Sequence, residues 1–315
     1  MRRGIPTFVF LQLLLGFMPV ASAVGQTNAP AQPETLHIEI VGASVSAGFV
    51  DGPLTGGSTD NSSVPLLPIL RGWFEDQDAK VQSRADPLMF LGSSKSGTLQ
   101  IERAIRQTPQ LLVAVDFLFW FAYGDLTVTN LKDAPARLQR LQEGLDLLDR
   151  VPGSILISDL PDMRGADRRM LRPAQIPEPE SLVKLNEAIA AWAKERPRVR
   201  VFPLASTVSG MKDRGVVLHC GDRELTTEPM ALLQKDRLHA TRLGMAYLAH
   251  SLQPMIRELL PEAAREAVKE RTFVEFCALA DAEVDLADLQ GRAKATPTEK
   301  GTEKSKDAEV PGADK

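Results

Sequence analysis

Short, almost unbroken apolar runs alternate along this chain with longer stretches in which apolar residues recur every three or four positions. Leu36 to Val41, Leu111 to Phe121, Ile155 to Ile157 and Val199 to Leu204 are the runs, and each predicts a strand; a weaker signal at Pro87 to Leu91 adds another. The helical spacing covers Thr98 to Gln107, Ala134 to Leu148, Glu180 to Glu195 and Thr241 to Leu260, and Glu262 to Leu289 has room for one or two further helices. Strands without polar alternation are buried on both faces, and strands that alternate with helices pair in parallel. The pattern therefore predicts a three-layer α/β domain with helices on both faces of a parallel sheet. In such sheets reactive groups gather beyond the carboxyl ends of the strands, where the connections diverge.

The two ends depart from this pattern. Arg2 and Arg3 precede an apolar run from Phe8 to Val20, and Ala21-Ser22-Ala23 fits the small-x-small site of signal peptidases, so residues 1–23 read as a secretory signal peptide. The run is short of the roughly 20 residues that a membrane span needs, and no cysteine follows the expected cut to carry a lipid, so no stable membrane anchor is expected. Residues 24–34, with Pro30 and Pro33, read as a linker, and residues 291–315, rich in Lys, Glu, Thr and Pro, as a disordered tail. That leaves one domain at 35–290, a length that suits a single large core with a C-terminal helical extension. The expected location is secreted or periplasmic.

Composition narrows the function classes. The chain carries 37 basic and 41 acidic residues, a formal net charge of −4, and loss of Arg2 and Arg3 with the leader makes it more acidic still. A mildly acidic protein without a basic stripe is a poor nucleic-acid binder. No metal-ligand spacing, phosphate loop or dinucleotide fingerprint is present, so no cofactor and no metal is expected. Cys220 and Cys277, the two cysteines, fit a disulfide in an oxidising compartment and equally fit buried free thiols.

Chemistry concentrates in two stretches. Gly42-Ala43-Ser44-Val45-Ser46 leaves the first predicted strand, and its glycine lets the chain turn tightly and present the Ser44 hydroxyl. Such a hydroxyl is a weak nucleophile until a base stands within hydrogen-bond reach. Asp236-Arg237-Leu238-His239 supplies an imidazole and, three residues earlier, a carboxylate able to hold one ring nitrogen while the other receives the serine proton. Taken singly, Ser44 reads as an ordinary turn residue, Asp236 as a loop cap and His239 as a surface histidine. Their joint presence points to acyl transfer.

Together the two stretches resemble the SGNH hydrolases, the GDSL family of esterases and lipases. Residues 42–46 are similar to the family's first block, G-D-S-x-S, with Ala43 in place of the acid, and Asp236 to Gly244 are similar to its last block, D-x-L-H-P-x-x-x-G, with Ala240 in place of the proline. The resemblance spans roughly residues 36 to 253 and is specific only in these outer blocks. It implies a flavodoxin-like three-layer sandwich with a parallel sheet of about five strands, Ser44 as nucleophile, His239 as general base and Asp236 as its orienter. It also implies an oxyanion hole built from backbone N–H groups, with Ser44 and Gly97 as donors and Gly92 as the second choice for the glycine. The third block, G-x-N-D, has no counterpart: Phe117-Leu118-Phe119-Trp120 stands there, and Trp120, Tyr123 and Asn130 are the nearby side chains able to replace the missing donor.

Other residues carry less. Alternation sends Phe117, Phe119 and Phe121 into the core with Trp120 on the opposite side; the other arrangement makes an aromatic wall beside Ser44. Asp159-Leu160-Pro161-Asp162 either lines the pocket or turns the chain, and His37, His219 and His250 read as structural. The expected activity is a secreted or periplasmic serine esterase that hydrolyses a small-molecule or glycan ester, acyl or O-acetyl, through an acyl-enzyme. Transfer of the acyl group to a sugar hydroxyl and a non-catalytic binding domain are the alternatives.

Overall fold

In the computed structural model, which describes residues 35–49, 64–127, 131 and 134–295, five strands run parallel: β1 Leu36–Ile40, β2 Ala79–Ser83, β3 Leu111–Ala114, β4 Ser154–Ser158 and β5 Val199–Phe202. They lie in the order β2-β1-β3-β4-β5, with Ile38 opposite both Val81 and Leu111, Val113 opposite Leu156, and Ile157 opposite Val201. The helices are α1 Ser44–Ala47, α2 Leu66–Trp73, α3 Ser93–Ile105, α4 Phe119–Tyr123, α5 Ala134–Asp149, α6 Pro179–Lys194, α7 Leu204–Ser209, α8 Arg242–Leu259, α9 Glu262–Ala267, α10 Phe273–Leu279 and α11 Glu283–Ala295. One layer is α3, α5 and α6 packed side by side, and the other is α2, α8 and α10. A small antiparallel pair, β6 Val217–Cys220 and β7 Arg223–Thr226, stands apart from the main sheet. The predicted three-layer parallel fold is the one observed.

Chain order steps from β1 outward to β2 and then back across to β3, so the strand order reverses between β1 and β3. That reversal opens a crevice at their carboxyl ends, and Ser44 and Asp116 are the polar residues that leave the sheet there.

Three boundaries differ from the sequence pattern, each for a local reason. The apolar run Leu111 to Phe121 is a strand only as far as Ala114; the chain then turns and continues as α4, which ends at Gly124 with φ of 85°. Apolar residues throughout leave strand and helix alike in periodicity. Pro87 to Leu91 is not a strand but a 3₁₀ turn at Met89–Leu91. The strand is β2, Ala-Lys-Val-Gln-Ser, where only Val81 is buried because β2 is an edge. The C-terminal stretch makes three helices rather than one or two, because Thr272 restarts the chain by capping α10 through a reciprocal pair with Glu275.

Residues 1–34, where the signal peptide and linker are expected, lie outside the described residues. So does the expected tail beyond Ala295, although α11 runs into its first residues. Cys220 and Cys277 are free and buried, and burial pushes the Cys277 thiol up to about 12. Among the described residues no helix is long and apolar enough to cross a membrane.

Candidate active site

β1 delivers the chain into a tight turn. Val41 still bonds to β3, its N–H donating to the Val113 carbonyl at 2.9 Å, and Gly42 then takes φ of 147°. A side chain is excluded at Gly42, since a Cβ there would fall 2.1 Å from Asp116 Oδ1 and 2.7 Å from Ser46 Oγ. Asp116, just past β3, is the organiser of this turn. Its Oδ2 accepts the N–H groups of Val45 at 2.8 Å and Ser46 at 3.3 Å, and its Oδ1 accepts the Ser46 hydroxyl at 2.6 Å. The first turn of a helix has N–H groups with no partner inside the helix, and a carboxylate from a neighbouring strand satisfies two of them in α1. The Ser44 N–H, in the first turn of α1, makes no hydrogen bond to another described residue. Burial pushes the Asp116 carboxyl up, against the opposing hydrogen bonds of Ser46, Val45 and Ala43.

On the other side of the crevice the chain from Leu232 to Thr241 closes on itself. Thr241 N–H donates to the Leu232 carbonyl at 2.9 Å and Gln234 N–H to the His239 carbonyl at 2.7 Å. Inside the loop, Asp236 Oδ1 accepts the N–H groups of Leu238 at 2.9 Å and His239 at 3.0 Å. Arg237 between them sits at φ of 56°, a left-handed conformation uncommon for a side-chain-bearing residue. Thr241 then caps α8, accepting from the Gly244 N–H at 3.1 Å. Gly244 has to be glycine for the loop to lie down, because a Cβ would meet the Leu232 carbonyl at 2.1 Å.

These two turns meet. Asp236 Oδ2 is 2.5 Å from His239 Nδ1, and His239 Nε2 is 2.8 Å from Ser44 Oγ. Asp236 is fully buried and His239 is 3% exposed, while the Phe49 ring stacks on the imidazole at 4.2 Å between centroids. Gln234 Nε2 holds the Phe49 carbonyl at 2.9 Å, so the loop also fixes the ring that shields its own histidine. Burial alone would push the Asp236 carboxyl up. The hydrogen bond and charge of His239, with the N–H groups of His239 and Leu238, outweigh it and hold the carboxyl below the usual carboxylate range. An ionised carboxylate on Nδ1 leaves Nε2 as the lone-pair nitrogen facing a serine hydroxyl, which is the arrangement for general-base activation of a nucleophile.

Of the remaining candidates, Trp120 lines the cavity with Ser44 and His239, whereas the glycines and Tyr123 are committed to other contacts. Gly97 lies inside α3, its N–H within the helical ladder, and the Phe121 and Phe117 rings press on it: a Cβ would fall 2.8 Å from Phe121 Cζ. It is a packing glycine rather than an oxyanion donor. Gly97→Ala is expected to lower stability by about 1–2 kcal/mol, overpacking outweighing the better helix propensity, and to leave kcat unchanged; thermal melts with steady-state rates check this. The Gly92 N–H is likewise committed, to the Met89 carbonyl at 3.1 Å. Tyr123 donates its hydroxyl to the Pro161 carbonyl and accepts from the Met163 N–H at 3.3 Å, which occupies it. Asn130 lies outside the described residues.

The aromatics divide differently from simple alternation. Phe117 and Phe121 are core, whereas Phe119 and Trp120 line the cavity that opens on Ser44 and His239. Asp159, Leu160 and Pro161 line it too, and Asp159 also accepts the Ala205 N–H in the first turn of α7 at 2.7 Å. His37 bonds the Gln107 carbonyl, His219 pairs with Glu224 across the small hairpin, and His250 packs edge-on against Phe273 and Phe276. Asp116 is the residue that pattern reading missed. Its signal was there: it is the only charged residue in the run Leu111 to Phe121, and a charge in such a run needs partners.

Comparison with known proteins adds likeness of backbone. No protein-family model matches the chain, and no curated protein matches it. Among solved structures it is similar to TesA, at 16% identity and a TM-score of 0.44, over 71% of this chain and 99% of the other. It is similar to a GDSL-like lipase from Bacteroides thetaiotaomicron, at 15% identity and 0.41, over 73% and 93%. An acetyl xylan esterase is similar at 13% identity and 0.43, over 70% and 100%. Likeness of this degree leaves the activity to be argued from the site itself.

Proposed function

We propose that this chain is a serine hydrolase of carboxylic esters, a divergent member of the SGNH family, with Ser44 as nucleophile, His239 as general base and Asp236 as its orienter. The observation that carries the reading is the unbroken relay from Asp236 Oδ2 through the imidazole to Ser44 Oγ, at 2.5 and 2.8 Å. Side chains 195 residues apart in sequence rarely form such a chain of contacts for packing alone, because a buried polar network is costly unless each member is satisfied.

In this mechanism the Ser44 oxygen attacks the ester carbonyl carbon as its proton passes to His239 Nε2. The tetrahedral oxyanion faces the Ser44 N–H at the start of α1. Collapse breaks the bond to the alcohol, which leaves with the proton from Nε2, and an acyl group stays on Ser44. A water then gives its proton to Nε2, attacks the acyl carbon and releases the acid, returning the proton to Ser44. With Gly97 and the third-block asparagine both out of the oxyanion site, fewer donors face the developing charge. Each lost donor slows turnover about 10²- to 10³-fold, so a slow enzyme with an intact nucleophile is expected. Export belongs to the same reading, supported by the basic start, apolar run and Ala-Ser-Ala site of residues 1–23.

A fluorophosphonate probe tests the assignment, since it reports an activated serine whatever the ester. The expected result is one label on Ser44 in the intact protein and none in Ser44→Ala. An unlabelled wild type, or equal labelling of the variant, overturns the assignment.

A further inference from the structure

A cavity with a mostly apolar lining lies beside Ser44. Ser44 and His239 line it together with apolar side chains from four places: Val115 and Trp120 after β3, Leu160 and Met163 after β4, Val208 and Met211 after β5, and Leu248 from α8. These side chains are otherwise buried, so the apolar surface they present is aimed inward.

Three polar side chains on the wall, Ser158, Asp159 and Asp116, are engaged within the protein. The Ser158 hydroxyl donates to the Val115 carbonyl at 2.5 Å, Asp159 Oδ1 accepts from the Ala205 N–H, and Asp116 holds the nucleophile turn. A sugar ring placed here would lose its water and find few partners for its hydroxyls, which is unfavourable for each one left unpaired. A hydrocarbon chain loses nothing and gains the walls. Met163 and Met211 make part of that wall flexible enough to fit chains of different length. A void left by poor packing has no reason to open on an activated hydroxyl; this one does.

We propose that this cavity is an acyl-chain pocket, so that the ester cleaved at Ser44 carries an apolar acyl group longer than acetyl and its alcohol part lies outside, toward solvent. At the third-block position stands Phe117-Leu118-Phe119-Trp120, of which Leu118, Phe119 and Trp120 line the cavity. This inference rests on the serine-hydrolase reading for its catalytic half, but the pocket itself can be tested without turnover.

The experiment has two arms. In the first, kcat/KM is measured for nitrophenyl esters from acetate to decanoate. Each buried methylene contributes roughly a three- to fourfold gain, so hexanoate is expected to exceed acetate by at least about 30-fold before the profile turns over. Val208→Phe, which fills the pocket from α7, is expected to cut the hexanoate-to-acetate ratio at least tenfold, about 1.4 kcal/mol. In the second arm, Ser44→Ala is titrated with octanoate and with acetate and followed by calorimetry. Octanoate is expected to bind one to one, with acetate silent at the same concentration.

A flat or falling ester profile together with no preference for octanoate overturns the pocket while leaving probe labelling of Ser44, and hence the hydrolase reading, standing. Octanoate binding without any probe labelling does the reverse. If Val208→Phe fails to fold, the octanoate titration of Ser44→Ala decides the pocket alone.

Discussion

His239→Ala is expected to lower kcat for ester hydrolysis by about 10⁴- to 10⁶-fold, with KM changed only a few-fold, and to abolish pre-steady-state release of the alcohol. The imidazole touches Ser44 Oγ at 2.8 Å and is held by Asp236, so its loss removes the base for attack and the acid for alcohol departure in one step. Asp236→Asn is the more discriminating variant. Its carbonyl oxygen can still accept the Leu238 and His239 N–H groups that Asp236 Oδ1 accepts now, at 2.9 and 3.0 Å, so the loop keeps its shape. Its amide then faces Nδ1 with a donor, turning the ring to the tautomer whose Nε2 carries a proton and cannot take the one on Ser44. A loss of about 10⁴ in kcat with an unchanged fold is the expected result, read by stopped-flow kinetics and circular dichroism. An Asp236→Asn enzyme within tenfold of wild type removes Asp236 from the mechanism.

The same residue has a pH signature. Asp236 is held below the ordinary carboxylate value, so the folded protein binds its proton less tightly than the unfolded chain. The stability this contributes is present above the unfolded value, about 3.9, and is lost as pH falls through the folded one. Melting temperatures of wild type and Asp236→Asn therefore differ most near neutrality and converge as the medium is acidified below about pH 4.

What the chain disclosed in advance and what it hid divide along a physical line. Ser44, Asp236 and His239 were legible because a tight turn and a three-residue spacing are local features, and local geometry is written in adjacent residues. The five-strand sheet was largely legible because β3 and β4 are buried on both faces and read as continuous apolar runs. β2 was not, since an edge strand with one buried residue has no run to show. Gly97 was misread because a glycine near a helix start looks the same whether its backbone faces a ligand or its missing side chain makes room for two phenylalanine rings. The Asp116 contact with α1 spans about 70 residues of chain, and only the fold brings it into view.

Asp116→Ala is expected to lower kcat about 10²-fold or more, with KM nearly unchanged, and to lower stability by about 3–5 kcal/mol. The carboxylate accepts two N–H groups and one hydroxyl from the nucleophile turn, and alanine leaves all three donors facing a void. Each buried donor without a partner costs about 1–3 kcal/mol, partly relieved where the turn relaxes, and that relaxation carries Ser44 away from His239. Asp116→Asn separates positioning from charge. Its carbonyl can hold the Val45 and Ser46 N–H groups while the Ser46 hydroxyl rotates to accept from the amide, so kcat is expected to return to within about tenfold of wild type. A purely structural role would lower melting temperature in both variants without separating their kcat values well below the melt. Burial pushes the Asp116 carboxyl up, so the folded protein binds this proton more tightly than the unfolded chain does. The sign of linkage is then opposite to that of Asp236: ionising Asp116 costs stability as pH rises above about 3.9. Asp116→Asn has no such cost, and its melting temperature relative to wild type is expected to climb as pH is raised from 4 toward neutrality. A relative melting temperature that falls over that interval, or an Asn variant as slow as the Ala variant, shows that the turn requires the charge of Asp116 as well as its shape.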